Sequence, residues 1–432
     1  MLTLTKVKRT SFCNMIVRRW KRTAVHTITA VILLYIYLNW TQVTKTMVHS
    51  SDRRYTWVSE HRDVSAVNKE RMERIHKVCS ANKKELRRYG DMTDTSKHIY
   101  IDEKHKLTYC FLLKSGYTFW SILFHIVRGD FNTTSPFDPA IFHQRGNGIP
   151  SLHTLPLKQR SIFFNSSFSF MFTRDPYSRL LSGYTDKLFM PNNHWHDVAP
   201  TIGEIVRHNH QDCIPDLTFS EFIKYIIHSE EHRQPRNPHF RFAFEFCDPC
   251  QYKYKFIGKL ETIKQDTKYL LGKMNQNKII QSLEKDFKGQ YTNFTIRERI
   301  DILFRIKDIY PACQVKFFQV QQKIWKGFQM NGIISTSSKY PITEEQSNAI
   351  TPDIFQDFVF KAIGDAADEK VSRRNKEEAM LEAYSTVETA DMEKLSRLLQ
   401  SDCEVFGYDC RPSKLFKDRQ YIKPWYFDIA TA

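Results

Sequence analysis

From about residue 96 onward, short β-rich apolar runs alternate with amphipathic stretches, and that alternation predicts an α/β domain. Leu107-Thr108-Tyr109-Cys110-Phe111-Leu112-Leu113 reads as a buried strand, and Phe119 to Val127 then follows a helical period. Phe168-Ser169-Phe170-Met171-Phe172-Thr173 is a second strand, leading into a helix from Pro176 to about Leu188. Pro176 suits the first turn of that helix, where its missing N–H costs nothing. Tyr254 to Leu260, followed by Glu261 to Met274, repeats the strand-to-helix step. Asp365 to Glu382 is different: dense in both charge signs and poor in apolar residues, it predicts a solvated helix or an insertion.

The N-terminal pattern is of another kind. Ala24 to Trp40 is a mostly apolar run at the short end of what spans a bilayer. Lys6, Lys8, Arg9, Arg18, Arg19, Lys21 and Arg22 precede it with no acidic residue, whereas only Lys45, Arg53 and Arg54 against Asp52 follow it through Trp57. The positive-inside rule keeps such an N-terminus cytosolic and sends the remainder across the membrane. No small-residue cleavage site closes the run, which argues against a removed signal peptide. Four regions result: a cytosolic tail (1–23), a transmembrane signal anchor (24–40), a polar lumenal stem (41–95) and a working domain (96–432). A short span flanked by aromatics suits a thin Golgi bilayer.

Composition narrows the class. Of 432 residues, 41% are hydrophobic and 14% aromatic, enough for a sizeable core and unlike a disordered chain. The formal charge of +16 favours anionic partners. Nucleic acid fits that charge but not a lumenal topology. Beyond the anchor lie Cys79, Cys110, Cys213, Cys247, Cys250, Cys313, Cys403 and Cys410, an even set that predicts disulfides in an oxidising compartment without fixing their pairing. Sequons at Asn132, Asn165 and Asn293 agree with that compartment. Cys247 and Cys250 with His239 offer three zinc ligands, but no second C-x-x-C accompanies them; structural disulfides are the expectation, and no metal.

Two strand-to-helix turns carry the candidate chemistry. In the first, Leu113-Lys114-Ser115-Gly116-Tyr117-Thr118-Phe119-Trp120, a short loop with glycine offers backbone N–H groups and a helix N-terminus to an anion. Lys114 adds a charge, and Ser115 and Thr118 add hydroxyls. It is not a Walker A loop. In the second, Thr173 to Tyr184, Arg174 ends a buried strand with a guanidinium fork suited to phosphate, and Ser182 lies about two helical turns along, near Ser178.

Together these turns resemble the nucleotide-binding motifs of the Golgi carbohydrate sulfotransferases, in particular the group with the chondroitin and dermatan 4-O-sulfotransferases. That family's first motif runs roughly P-K-V-A-C-T-N-W; here Lys114, Thr118 and Trp120 match, while Leu113, Tyr117 and Phe119 depart. The second, roughly R-E-P-F-E-R-L-V-S-A-Y-R-D-K-F, matches at Arg174, Pro176, Arg179, Leu180, Ser182, Tyr184, Asp186 and Lys187. Leu217 to Phe222, His239 before Cys247-Asp248-Pro249-Cys250, Tyr254 to Glu261, and Asp402 to Tyr408 agree in order, so the likeness covers roughly residues 100–410.

The resemblance implies a P-loop-like sulfotransferase fold with a central parallel sheet behind the anchor. It implies 3′-phosphoadenosine 5′-phosphosulfate (PAPS) as sulfuryl donor and an anionic glycan, such as a glycosaminoglycan, as acceptor. Lys114 would act on the 5′-phosphate, with Ser115, Gly116, Tyr117, Thr118 and Phe119 wrapping the phosphosulfate and Arg174, Arg179 and Ser182 holding the 3′-phosphate. His239 is the first candidate for general base, since its titration range suits that work; His194 is the second. Two rivals remain at this stage. One is a type II glycosyltransferase, against which stands the absence of D-x-D. The other is a non-catalytic relative that binds sulfated glycan, prompted by Leu113, Tyr117 and Phe119.

Overall fold

The computed structural model describes residues 63–81, 94–141, 146, 148–364 and 368–432. The tail and anchor expected at 1–23 and 24–40 lie outside these residues, and among the described residues no helix is long and apolar enough to cross a membrane. The compact unit runs from Val64 to Ala432.

In chain order it begins with α1 (Val64–Ala81), β1 (Ile99–Asp102), β2 (Leu107–Cys110) and α2 (Tyr117–Arg128), then β3 (Phe168–Thr173) and α3 (Pro176–Tyr184). After β4 (Phe256–Lys259) come α4 (Ile263–Lys273), the long α5 (Asn277–Arg305), α6 (Phe317–Met330) and α7 (Glu369–Ser385). The expected strands and helices stand within a few residues of these bounds.

The sheet has the order β1-β2-β3-β4. β2, β3 and β4 are parallel, but β1 pairs antiparallel with β2. The sheet is therefore mixed rather than purely parallel. The difference is local: β1 returns through the short turn at Glu103–Lys106, which permits only an antiparallel pairing.

β3 shows why the sheet sits where it does. Its odd and even positions face opposite sides. Phe170 and Phe172 meet Trp120 of α2, with ring centroids 5.0 and 4.9 Å apart. Met171 faces a second cluster with Cys110, Phe244, Cys247 and Ile257. Truncating fully buried Trp120 would cost about 3–5 kcal/mol.

Part of the expected stem belongs to this unit. The Asn68 side chain on α1 donates to Lys255 O at 3.1 Å and accepts from Ile257 N at 3.0 Å, imitating one more strand beside β4. Arg71 donates to Ile257 O at 2.8 Å and pairs with Asp266 at 2.9 Å. An edge so covered cannot pair with another chain. Four disulfides join Cys79 to Cys250, Cys110 to Cys247, Cys213 to Cys313 and Cys403 to Cys410. The two cysteines of the C-x-x-C thus have separate partners, which removes the zinc reading with His239. His196 does lie beside Cys213 and Cys313, but those sulfurs are bonded to each other.

The charged stretch at 365–382 is not a free insertion. Over its described residues it forms most of α7, whose Asn375, Ala379 and Glu382 are buried. The Glu382 carboxylate accepts the backbone N–H groups of Trp425, Tyr426 and Phe427 at 2.9 to 3.0 Å. One buried carboxylate thereby anchors the C-terminal segment.

Candidate active site

The carboxyl ends of parallel strands are where open α/β sheets place their ligands. Here the loops after β2, β3 and β4 open on one cavity of about 360 Å³, within the ordinary range of ligand pockets. Lys114, Gly116, Tyr117, Thr118, Phe119, Arg174, Ser182 and His239 all line it.

The first loop is shaped by backbone conformation. Lys114 has φ +67° and Gly116 φ +88°, both left-handed. Gly116 caps α2, and Leu260 and Ile263 press where its Cβ would stand, at 3.5 and 3.3 Å. A side chain there would meet both strain and crowding. No side chain caps the helix, so the N–H groups of Tyr117, Thr118 and Phe119 have no acceptor among the described residues. A non-glycine residue held left-handed at such a loop is the kind of strain that functional sites keep.

The Lys114 ammonium bonds Asp186 at 2.8 Å. Asp186 is shared with Lys187 at 3.4 Å and with Arg299 of α5. Burial opposes its ionisation, but these three cations hold its carboxyl well below the usual carboxylate range. Burial, helped by Arg299 and Lys187, brings Lys114 down to about 8. Asp186 and Lys187 sit on a wide turn, Thr185–Phe189, that continues α3. Such i→i+5 turns recur at functional sites.

Arg174 donates to the Lys114 carbonyl at 3.3 Å, which ties the two loops together. No carboxylate pairs with its guanidinium among the described residues. Ser178 and Ser182 line the cavity one helical turn apart on α3. Asp175 caps α3 by accepting from Ser178 N at 2.8 Å, and its own N–H donates to Glu261.

His239 is fixed by Asn237, whose side-chain oxygen accepts the backbone N–H of His239 at 3.0 Å and lies 2.8 Å from its Nδ1. An oxygen that accepts both bonds requires the proton on Nδ1 and leaves the lone pair on Nε2. Burial, with the Lys187 and Lys114 charges, pushes His239 down to about 2. His194 stands beside it, ring centroids 5.5 Å apart, paired with Asp197. It is a neighbour and does not line the cavity.

Two expected residues lie elsewhere. Ser115 is fully buried behind the loop with its hydroxyl unpartnered. Arg179 is also buried; it donates to the carbonyls of Leu113, at 3.4 Å, and Arg241, bracing the loop from behind. It does not line the cavity, although Ser182 one turn along α3 does. Sequence reasoning missed Arg299, Lys376 and Asn237. Asn before Pro at a helix start was a readable capping signal; Arg299 and Lys376 carried none.

Residues 97–302 match the sulfotransferase family. Over that stretch the chain is similar to carbohydrate sulfotransferases. It is 28% identical over 212 residues to carbohydrate sulfotransferase 11 of Rattus norvegicus, covering 46% of this chain and 60% of that one. It is 29% identical over 234 residues to carbohydrate sulfotransferase 10 of Danio rerio, with 50% and 62% covered. With carbohydrate sulfotransferase 9 of Homo sapiens the identity is 28% over 201 residues, with 43% and 44% covered. The chain thus spans about six-tenths or less of the length of these relatives. No solved structure gives a significant match. The part that matches the sulfotransferase family contains both loops, Asp186, His239 and Arg299, whereas α7 lies beyond it.

Proposed function

We propose that the chain transfers a sulfuryl group from PAPS to a hydroxyl of a glycan, of glycosaminoglycan or related type, in the Golgi lumen behind a single type II anchor. The observation that carries this reading is the convergence of Lys114 and Arg174 on one cavity, joined by the Arg174 bond to the Lys114 carbonyl.

In this reading Lys114 and the free N–H groups of the first turn of α2 hold the 5′-phosphosulfate, and Arg174 with Ser182 holds the 3′-phosphate. Transfer breaks the bond between sulfur and the bridging oxygen and forms one to the acceptor oxygen. Negative charge accumulates on the leaving phosphate, where a positioned ammonium is most effective. His239 Nε2 accepts the acceptor proton. The Lys114 and Lys187 fields contribute to its low basicity. An anionic nucleotide offsets both fields, so donor binding raises the basicity of His239 when a base is required. Arg179 positions the loop.

The test is turnover of radiolabelled PAPS by the purified lumenal region against a glycan panel, with disaccharide analysis of the product. Lys114→Ala and Arg174→Ala should each lose about a hundredfold or more, the scale of one transition-state charge contact. Wild-type rates in both variants would refute the assignment. Nucleotide and glycan binding without any turnover would favour the non-catalytic relative.

A further inference from the structure

α7 lies outside the stretch that matches the sulfotransferase family, and its sequence reads as surface. Its basic residues are nevertheless not equivalent. Arg373 pairs with Glu369 and Arg374 with Glu378, each one turn away along the helix. Lys376 has Ser372 and Arg373 on one side and Ala379 and Met380 on the other, so the helix offers it no counter-ion. No carboxylate elsewhere among the described residues pairs with it.

Lys376 instead lines the cavity, together with Ala379 and Met380. The Met380 sulfur accepts the Ser178 hydroxyl at 3.5 Å, and Tyr384 donates to the Tyr177 carbonyl at 2.9 Å. These contacts lay α7 along α3 at the end that begins just after Arg174. Lys376 stands one turn before Met380 on the same face, about 6 Å away. Its side chain reaches solvent at the rim, yet the protein packed around the ammonium, with the Arg174 and Lys288 charges, holds it below its usual range. A lysine placed beside an unpaired arginine, on a wall with two serine hydroxyls, is a site for a multiply charged anion.

We propose that Lys376 is a nucleotide-binding residue, a second cation for the 3′-phosphate beside Arg174 and Ser182. The inference rests on the PAPS reading above and adds to it a contact from a helix that the family match does not reach.

The test is calorimetric titration of the whole lumenal region with 3′,5′-ADP and with 5′-AMP, which differ only by the 3′-phosphate. Wild type should bind 3′,5′-ADP far more tightly. Lys376→Met should weaken 3′,5′-ADP about tenfold or more and leave 5′-AMP within about twofold, while Lys376→Arg keeps most of the preference. Equal weakening of both nucleotides, or of neither, would overturn the role of Lys376. A wild type that fails to distinguish the two nucleotides would instead overturn the PAPS reading. Lys376 is exposed at the rim, so an unchanged melting temperature is expected and confirms that the variant is folded.

Discussion

Asp186 is the only carboxylate paired with Lys114, Lys187 and Arg299 among the described residues, and replacing it with asparagine tests the electrostatic account of the cavity. The substitution keeps the shape and removes one charge. In a medium of effective dielectric about 20, a pair at 2.8 Å attracts by roughly 6 kcal/mol before desolvation is counted. Desolvation cancels much of that, and breaking a buried pair costs about 3–5 kcal/mol net. Asp186→Asn should therefore lose about 3–5 kcal/mol of stability without nucleotide. It should also release Lys114. Asp186 holds the Lys114 pKa up, so its removal moves that value below about 8 and the ammonium becomes neutral at lower pH. The alkaline limb of kcat/KM then shifts to lower pH, and activity recovers on acidification. Bound 3′,5′-ADP replaces the missing charge, so its stabilising effect on melting should be larger in the variant than in wild type. Thermal melts with and without 3′,5′-ADP, beside pH–rate profiles, measure both effects. Unchanged stability with an unmoved alkaline limb would refute the counter-ion account.

Wild-type kcat/KM should fall as pH rises through about 8, where free-enzyme Lys114 loses its proton, and should show no acid limb near 6.5, because His239 is neutral throughout that range. The limb in kcat should lie at higher pH, since bound donor stabilises the ammonium; coincident limbs in a pH series would contradict this. Asn237→Ala frees the His239 tautomer and should lower kcat by about ten- to a hundredfold with little change in 3′,5′-ADP affinity, read by steady-state kinetics and titration. An equal loss in nucleotide affinity would point to a general structural defect. Asn68→Ala uncovers two backbone polar groups, Lys255 O just before β4 and Ile257 N within it, and should cost about 1–3 kcal/mol in denaturant unfolding, whereas a dispensable stem would show no change.

The strands and the two loops were readable in the sequence because each signal is local. The aromatic run at 168–173, Pro176 after a strand and Lys114 before a glycine all act within a few residues of themselves. Lys114 and Arg174 could be paired only through a family likeness, since neither loop reveals which strand lies beside its own. The remainder depended on distant contacts. Arg299 looks like any surface arginine of α5 until the fold brings it to Asp186. The charged run at 365–382 was read as solvated because charge density normally measures exposure. Glu382 reverses that rule: three backbone N–H groups from the C-terminal segment satisfy its carboxylate, so a residue type that usually marks surface is buried. The compact unit begins before residue 96 for a related reason. α1 buries only Ile75 among its apolar residues and docks through Asn68 and Arg71, which no hydrophobic pattern displays.

The same field accounts for several features that look separate. Among the described residues Lys114, Lys187 and Arg299 share Asp186 and no carboxylate pairs with Arg174 or Lys376; with Glu298 the only other acid lining the cavity, five cations there face two carboxylates and positive charge is left over. Burial first, and that excess second, lower Lys114 and His239. Uniform relief requires an anion that reaches both loops at once. A single phosphate at the first loop would relieve Lys114 and leave Arg174 and Lys376 as they are. A nucleotide phosphorylated at both ends relieves both, which makes discrimination between 3′,5′-ADP and 5′-AMP the measurement on which the site assignment turns.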